Sequence, residues 1–258
     1  AGVHYLDITG EVGVFERLSY MDEVAKAAGI MVMPGVGFDV VPTDCIARHL
    51  ADQLPDATHL DLAIWGLGQV SHGTATTMVE NIGEGGAVRR DGRLKQVPSA
   101  YLTKHINFGP ATRQCVSIPW GDLATAYRST GIPNITTYAA FPLKVQRMMK
   151  LSRTFGKLLA SKPAQAFLKR RIQARPAGPD AAQRAEGRTY VFGEAWNDAG
   201  QRVSARLAGP EGYTFTAKAA LVVAERVLAG QFTAGYQTPA GAYGADLVLD
   251  VEGVSRDS

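Results

Sequence analysis

Two aspartates and one histidine have the residue types and spacing for acid–base chemistry. Asp39 and Asp44 lie on either side of a junction between a glycine-containing turn and a helix, and His72 lies in a short loop further along. At such positions a carboxylate or an imidazole can donate or accept a proton, or bind a polar group of a cofactor. The bland alternatives are a helix cap, a first-turn carboxylate and an exposed loop histidine without function.

The turn beside these aspartates consists of Gly35, Val36, Gly37 and Phe38. It follows a short apolar run and precedes a helix, so it lies at the carboxyl end of a strand, where open α/β sheets bind ligands. As a phosphate loop it is incomplete, because Val40 stands where a third glycine is needed. The pattern therefore indicates either a cofactor-facing loop or a tight turn between strand and helix.

Other catalytic signatures are missing from the sequence. Cys45 and His49 share a helix face, but no second ligand pair accompanies them, so we expect no metal site. The chain has no Gly-x-Ser-x-Gly, His-Glu-x-x-His or P-loop motif, and no tyrosine precedes a lysine by four positions. Hydrolase, zinc-enzyme and short-chain dehydrogenase interpretations are thereby disfavoured.

The predicted order of strands and helices changes near residue 55. Residues 1–55 read as strand, helix, strand, helix: an extended stretch at 3–9, one helix across 14–28, an apolar strand at 30–33 and a helix from Pro42. This order is typical of a parallel sheet flanked by helices. We therefore predict that residues 1–55 are the remainder of a Rossmann-type sheet.

Residues 56–258 show shorter strands between turn signals, which predict an α+β domain with a mostly antiparallel sheet. The expected strands are 59–65, 94–97, 100–108, 114–118, 135–140, 188–196 and 202–207, and the expected helices are 74–82, 121–129 and 215–228. The predicted fold class is thus α/β followed by α+β.

Composition excludes several protein classes. The chain has 258 residues, 46% of them hydrophobic, and two distant cysteines that offer no disulfide framework. This suits a globular protein of a reducing cytoplasm, and no apolar run approaches the ~18 residues that span a bilayer.

The basic residues are concentrated in one segment. Residues 141–179 contain ten lysines and arginines and no acidic residue, which leaves 17 of the 27 basic residues against 24 acidic ones elsewhere. We expect a basic amphipathic helical insert, with an apolar stripe of Met148, Leu151, Phe155 and Leu158. It suits an anionic membrane surface, an acidic carrier protein or ordinary packing. Nucleic acid is disfavoured, because aromatic residues do not interleave with the cations.

Several strings together resemble saccharopine-dehydrogenase-like oxidoreductases, in particular a bacterial branch that includes trans-acting enoyl reductases. They are GVHYLDITGE at 2–11, PGVGFDVVPTD at 34–44, GTAT at 73–76, VRRDG at 88–92, SIPWGD at 117–122 and TPA at 238–240.

The resemblance implies an NADP- or NAD-binding Rossmann domain, an α+β domain and a catalytic cleft between them, with residues 35–39 facing the nicotinamide. GFDVVPTDC at 37–45 lacks the histidine of true saccharopine-forming enzymes, which argues against saccharopine chemistry. The family's glycine-rich fingerprint is also absent from this chain, so we expect a C-terminal portion that binds the cofactor poorly.

These observations lead to one working hypothesis and one rival. The hypothesis is an NAD(P)H-dependent oxidoreductase that reduces a small-molecule or acyl-linked substrate, cytoplasmic or peripheral to a membrane, and a candidate homodimer. Asp39, Asp44 and His72 are its candidate catalytic residues, and Gly35, Val36, Gly37 and Phe38 its candidate cofactor contacts. The rival is a non-catalytic lipid- or membrane-associated protein that retains the fold.

Overall fold

Two β-sheets organise the chain in a computed structural model that describes residues 2–66, 71–80, 83–159, 161–174, 176 and 178–257. The strands are β1 (Tyr5–Leu6), β2 (Met31–Met33), β3 (His59–Trp65), β4 (Gly86–Arg90), β5 (Arg93–Val97), β6 (Thr103–Asn107), β7 (Thr112–Ser117), β8 (Asn134–Ala139), β9 (Arg188–Trp196), β10 (Arg202–Pro210), β11 (Gly235–Tyr236) and β12 (Ser255–Asp257). The helices are α1 (Val12–Ser19), α2 (Asp22–Ala27), α3 (Val41–Gln53), α4 (His72–Glu80), α5 (Asp122–Thr130), α6 (Leu143–Leu159), α7 (Lys162–Gln173), α8 (Ala181–Glu186), α9 (Gly212–Leu228) and α10 (Pro239–Tyr243).

The first sheet is parallel and has the order β1-β2-β11. Its central strand β2 is buried along its whole length, as expected for a strand covered on both faces. The two predicted strands and the helix that contains Pro42 are present, but two short helices stand where one was predicted between the strands. Strand β11 joins this sheet from the far end of the chain, whereas the domain boundary at residue 55 stays a prediction.

The second sheet has nine strands in the order β12-β10-β9-β3-β8-β4-β5, with the β6–β7 hairpin attached through β8. Strands β3 and β8 run parallel, and the other pairs among the described strands are antiparallel. The predicted α/β plus α+β fold class is confirmed. Strand β4 was not predicted, because its Val-Arg-Arg sequence has no local strand signal beyond one β-branched residue.

One hydrophobic core joins the two sheets through α3. Met31 of β2, Ile46 of α3 and Leu62 of β3 all belong to this core. Gly193 of β9 lets α3 approach closely, since a Cβ there would lie 2.8 Å from Cδ1 of Leu50. The helix that follows the candidate loop is therefore held firmly against the second sheet.

The predicted single helix across 14–28 is wrong, because the chain breaks into α1 and α2 at Tyr20 and Met21. Met21 is exposed instead of contributing to an apolar face. The reason is a distant contact: Oδ1 of Asp22 accepts a hydrogen bond from the Tyr236 amide of β11 at 2.8 Å. This contact fixes the start of α2 beside the third strand of the first sheet.

The basic segment is helical, forming α6 and α7. No helix within the described residues combines the length and apolar character needed to cross a bilayer. Ile82, at the end of the helix expected at 74–82, and the side chain of Leu158 lie outside the described residues.

Candidate functional site

The loops that follow the parallel strands β1 and β2 meet at Asp7. Its Oδ1 accepts hydrogen bonds from the amides of Thr9 and Gly35, both at 2.9 Å, and its carbonyl oxygen accepts from the Val36 amide at 2.8 Å. One residue thus fixes both loops at the carboxyl ends of neighbouring parallel strands, the usual ligand position in an open α/β sheet.

Gly35 is required by backbone conformation and by space. Its φ of +77° lies in the left-handed region, and a Cβ there would lie 2.7 Å from Cγ2 of Val40 and 2.9 Å from Cε1 of Phe15. The loop is therefore packed tightly over α1 and the start of α3.

The predicted cofactor contacts lie together in this loop, and the structure limits what they can do. Val36 and Phe38 are buried, and the Phe38 amide donates a hydrogen bond to Oγ1 of Thr216 at 3.1 Å. Because the Gly35 and Val36 amides bind Asp7, three amides of the loop are engaged within the chain. A cofactor role for Gly35, Val36, Gly37 and Phe38 stays a prediction, but these amides do not form an open phosphate cradle.

Asp39 is the partly exposed acid at this junction. Burial raises its pKa to about 6, and no hydrogen bond reaches its side chain from the described residues. Gly10 makes room for it, since a Cβ at Gly10 would lie 2.6 Å from Oδ2 of Asp39. The interpretation of Asp39 as a helix cap is wrong, because α3 begins with Val40 as its N-cap. A carboxyl with a pKa near 6 can exchange protons near neutral pH.

Asp44 is fully buried in the first turn of α3, as predicted. Its Oδ1 accepts from Oγ of Ser129 at 2.6 Å, and its Oδ2 accepts from the Ala240 amide at 2.8 Å. Burial raises its pKa, and these hydrogen bonds partly oppose that rise. The contacts connect α3 to α5 and α10, which favours the structural interpretation of Asp44.

Asp122 is a third carboxyl in this region, and sequence reasoning missed it as a site residue. It is fully buried in the first turn of α5, and its Oδ2 accepts from Oγ1 of Thr43 at 2.8 Å. Its Oδ1 is a buried oxygen without a hydrogen-bond partner in the described structure, as are Oγ1 of Thr125 and Nε1 of Trp120. Burial first, and the charges of Asp44 and Asp39 next, hold the pKa of Asp122 well above its usual range.

The spacing of Asp122 offered only a weak signal. An aspartate in a first helical turn is usually a solvated partner of the helix dipole. Its burial depends on α5 packing against α3, a contact between segments almost 80 residues apart.

His72 is the first residue of α4, whereas the candidate aspartates lie beside and in the first turn of α3. The neighbouring Ser71 amide donates to the hydroxyl of Tyr213 at 2.6 Å. Tyr213 follows Gly212, where a Cβ would lie 3.6 Å from the Phe38 ring. The residue before His72 thus contacts the first turn of α9. The catalytic role of His72 stays a prediction.

No cluster of three or more metal-ligating side chains occurs among the residues described. A surface groove of about 440 Å³ is lined by Arg184, Arg188 and Lys218, and none of the candidate aspartates is among its lining residues. Lys218 already pairs with Glu252 at 2.7 Å, and nothing in the groove connects it to the aspartates.

Neither a family model nor a curated protein sequence matches this chain. Among solved structures it is similar to the apo, histidine-tagged saccharopine dehydrogenase (L-Glu forming) from Saccharomyces cerevisiae. The two share 10% sequence identity with a TM-score of 0.55, over 92% of this chain and 76% of that one. This likeness establishes a shared fold.

Proposed function

We propose that this chain serves a nicotinamide-dependent oxidoreductase in which Asp39 exchanges a proton with the substrate. The observation that carries the proposal is the partly exposed Asp39, with its pKa raised to about 6, at the carboxyl ends of two parallel strands. The fold shared with saccharopine dehydrogenase supports it.

Among the described residues, those of the candidate loop suit the nicotinamide end of the cofactor but not its pyrophosphate. When bound, NADP or NAD supplies the hydride. Asp39 suits the reactive end, whereas the amides of Gly35, Val36 and Phe38 are already bound to Asp7 and Thr216. We therefore derive no step that involves the pyrophosphate.

The chemistry of this chain is then proton transfer at Asp39. Near neutral pH both protonation states of a carboxyl with this pKa are populated, so its protonated oxygen can donate to a carbon or oxygen that gains negative charge. Burial and the neighbouring carboxyls hold the pKa of Asp122 well above its usual range, which disfavours a second negative charge beside Asp39.

The substrate class that we propose is an unsaturated or carbonyl compound carried on an acyl chain. The support is the similarity of residues 73–92 and 117–122 to the bacterial branch that includes trans-acting enoyl reductases. The missing histidine in residues 37–45 disfavours saccharopine itself.

The test measures NADPH and NADH oxidation with a panel of enoyl and keto thioesters. We expect Asp39→Asn to lower kcat by about 100-fold or more, and the wild-type rate to fall above pH ~6 if the protonated acid is the reactive form. Asp52→Asn, at an exposed surface ion pair on α3, is the matched control. Unchanged turnover of Asp39→Asn would remove that residue from the site.

Because this chain is expected to bind the cofactor weakly, the assay uses NADPH and NADH at concentrations high enough to saturate a weak site. A chain that reduces no member of the panel under those conditions contradicts the proposal as a whole. The non-catalytic, lipid-associated alternative is then favoured. Titration of NADPH by its own fluorescence gives a readout that does not depend on turnover.

A further inference from the structure

We propose that helices α6 and α7 form a docking surface for an anionic lipid bilayer. This proposal concerns where the protein works and does not depend on the reaction proposed above. It starts from the orientation of α6, in which Met149 packs against the core while Met148, Leu151 and Phe155 are exposed.

The inner face of α6 is held by polar contacts. Gln146 is buried, and its Nε2 donates to the carbonyl oxygens of Phe141 and Gln114 at 2.7 and 2.9 Å. Arg153 donates to the carbonyl oxygen of Ser99 at 2.7 Å and also to that of Ala100. These contacts fix which face of the helix turns inward.

The outer face of α6 carries an apolar ridge, which we define as Met148, Leu151 and Phe155. Their spacing of i, i+3 and i+7 places them on one helix face, and they are 64%, 57% and 49% exposed. Leu143, at one end of the same helix, is 54% exposed. A helix at the surface of a globular protein normally turns such residues toward the core, so the exposure of this ridge departs from the usual arrangement.

Positive charge surrounds this ridge. Lys144, Arg147 and Lys150 are exposed on the same helix, which contains no acidic residue. In α7, Phe167 is 62% exposed and the guanidinium of Arg171 lies 5.7 Å from its ring centre. Cations around exposed apolar and aromatic side chains are the composition of helices that lie in the interface of an anionic bilayer.

The shape of the surface favours a bilayer over a folded acidic protein. The ridge protrudes from the outer face of one helix, and from Met148 to Phe155 it extends about 10 Å along that helix. A folded partner would have to bring a matching groove to accommodate three protruding side chains, whereas a bilayer deforms around them. We therefore commit to anionic lipid as the occupant.

The experiment is co-sedimentation of the full chain with vesicles of phosphatidylcholine alone or mixed 7:3 with phosphatidylglycerol. We expect binding to the anionic vesicles at least tenfold above the neutral ones, decreasing with salt. The triple variant Lys144→Gln, Arg147→Gln, Lys150→Gln should reduce binding by roughly 100-fold at low salt, about fivefold for each cation. The ridge variant Met148→Gln, Leu151→Gln, Phe155→Gln should reduce it at least tenfold.

The matched control replaces two exposed apolar residues of another helix, Leu221→Gln and Leu228→Gln in α9. It should bind like the wild type. In a second readout, Phe155→Trp should shift its emission to shorter wavelength on anionic vesicles and be quenched by brominated lipid. This variant keeps an aromatic residue at the ridge.

Three vesicle results would overturn the proposal. They are equal binding to neutral and anionic vesicles, loss of binding in the α9 control as large as in the ridge variant, and an unchanged Phe155→Trp spectrum. Binding of a purified acyl carrier protein without vesicle binding would also overturn it, in favour of an acidic protein partner. Each readout measures binding, so failure of the proposed reaction would leave these outcomes unchanged.

Discussion

Asp39 links the proposed chemistry to the stability of the fold. Its pKa is raised from 3.8 to about 6 by burial, so the native state keeps a proton that the unfolded chain releases between those pH values. The contribution of Asp39 to the free energy of unfolding is therefore most favourable below pH ~4, and this contribution decreases as the pH rises toward 6. Above pH 6 the loss is complete and amounts to up to about 3 kcal/mol.

Asp39→Asn should consequently stabilise the protein at pH 8 and have little effect at pH 4. Urea unfolding at several pH values measures the free-energy difference between the variant and the wild type. The pKa values of Asp44 and Asp122 are also raised by burial, but both residues are present in the variant and in the wild type. Their contributions therefore cancel in the difference. A difference that does not change with pH would contradict the assignment.

Gly35 tests how tightly the candidate loop is packed. Gly35→Ala combines a left-handed backbone, worth about 1 kcal/mol or more, with an overlap against Val40 that adds roughly 1–3 kcal/mol. Gly131→Ala is the matched control, because Gly131 has a φ of +74° and open space around its Cα. We expect Gly35→Ala to lower the free energy of unfolding by roughly 1–3 kcal/mol more than Gly131→Ala does. Equal losses would mean that the loop relaxes freely.

At the scale of elements, a partly buried ion cluster connects the β6–β7 hairpin to β3 and β9 of the second sheet. Nζ of Lys104 lies 2.8 Å from Oδ2 of Asp61 on β3 and 2.7 Å from Oε2 of Glu194 on β9. Lys104→Met leaves the largely buried Asp61 without its cation, and should cost about 2–3 kcal/mol. Adding Asp61→Asn should recover part of that loss.

The comparison for this variant is Lys95→Met in β5. Lys95 pairs with Asp91 at 3.2 Å, but both side chains are exposed, so the expected cost is below about 0.5 kcal/mol. Thermal or urea unfolding of the single and double variants provides the values. If Lys104→Met costs no more than Lys95→Met, the cluster does not hold the hairpin.

The elements also show where sequence reasoning succeeds. Strand β3 was predicted with its observed bounds, because its apolar run is short and bounded by turn residues. The helix expected at 14–28 failed, since the break at Tyr20 depends on the contact of Asp22 with Tyr236. Local patterns predict elements that are stabilised by their own burial, and they miss breaks imposed by distant residues.

In the candidate site, too, local sequence patterns predict some features, whereas others depend on distant contacts. The loop at 35–38 and the first-turn position of Asp44 were predictable from glycine, proline and spacing. Asp122 was not, because its burial depends on α5 meeting α3. Strand β11, only two residues long, has no pattern of its own and is defined by its pairing with β2.

At the scale of the whole molecule, the C-terminal part completes structure at the opposite end of the chain. β11 forms the third strand of the first sheet, and the Ala240 amide donates to the buried carboxylate of Asp44. The core that contains Met31 also contains Phe215 of α9 and Leu247. Stability of the candidate loop therefore depends on residues far away along the chain.

Truncation tests this dependence. A chain that ends after Gly230 loses β11 and α10, leaves an edge of β2 unpaired and removes both the Thr238 and the Ala240 donors to Asp44. An uncompensated buried carboxylate and the loss of core residues such as Leu247 each cost several kcal/mol against a typical total of about 5–15 kcal/mol, so we expect loss of cooperative unfolding.

The control for this truncation ends after Gly253 and removes only the edge strand β12, which pairs with β10 at three positions. It should keep a single cooperative transition at a lower midpoint, as followed by far-UV circular dichroism in urea. Wild-type stability in the chain that ends after Gly230 would show that the first sheet folds without its third strand. Because the loop at 35–38 and Asp44 both depend on that sheet and on α10, the proposed proton-transfer site should be lost with the C-terminal part even though Asp39 is retained.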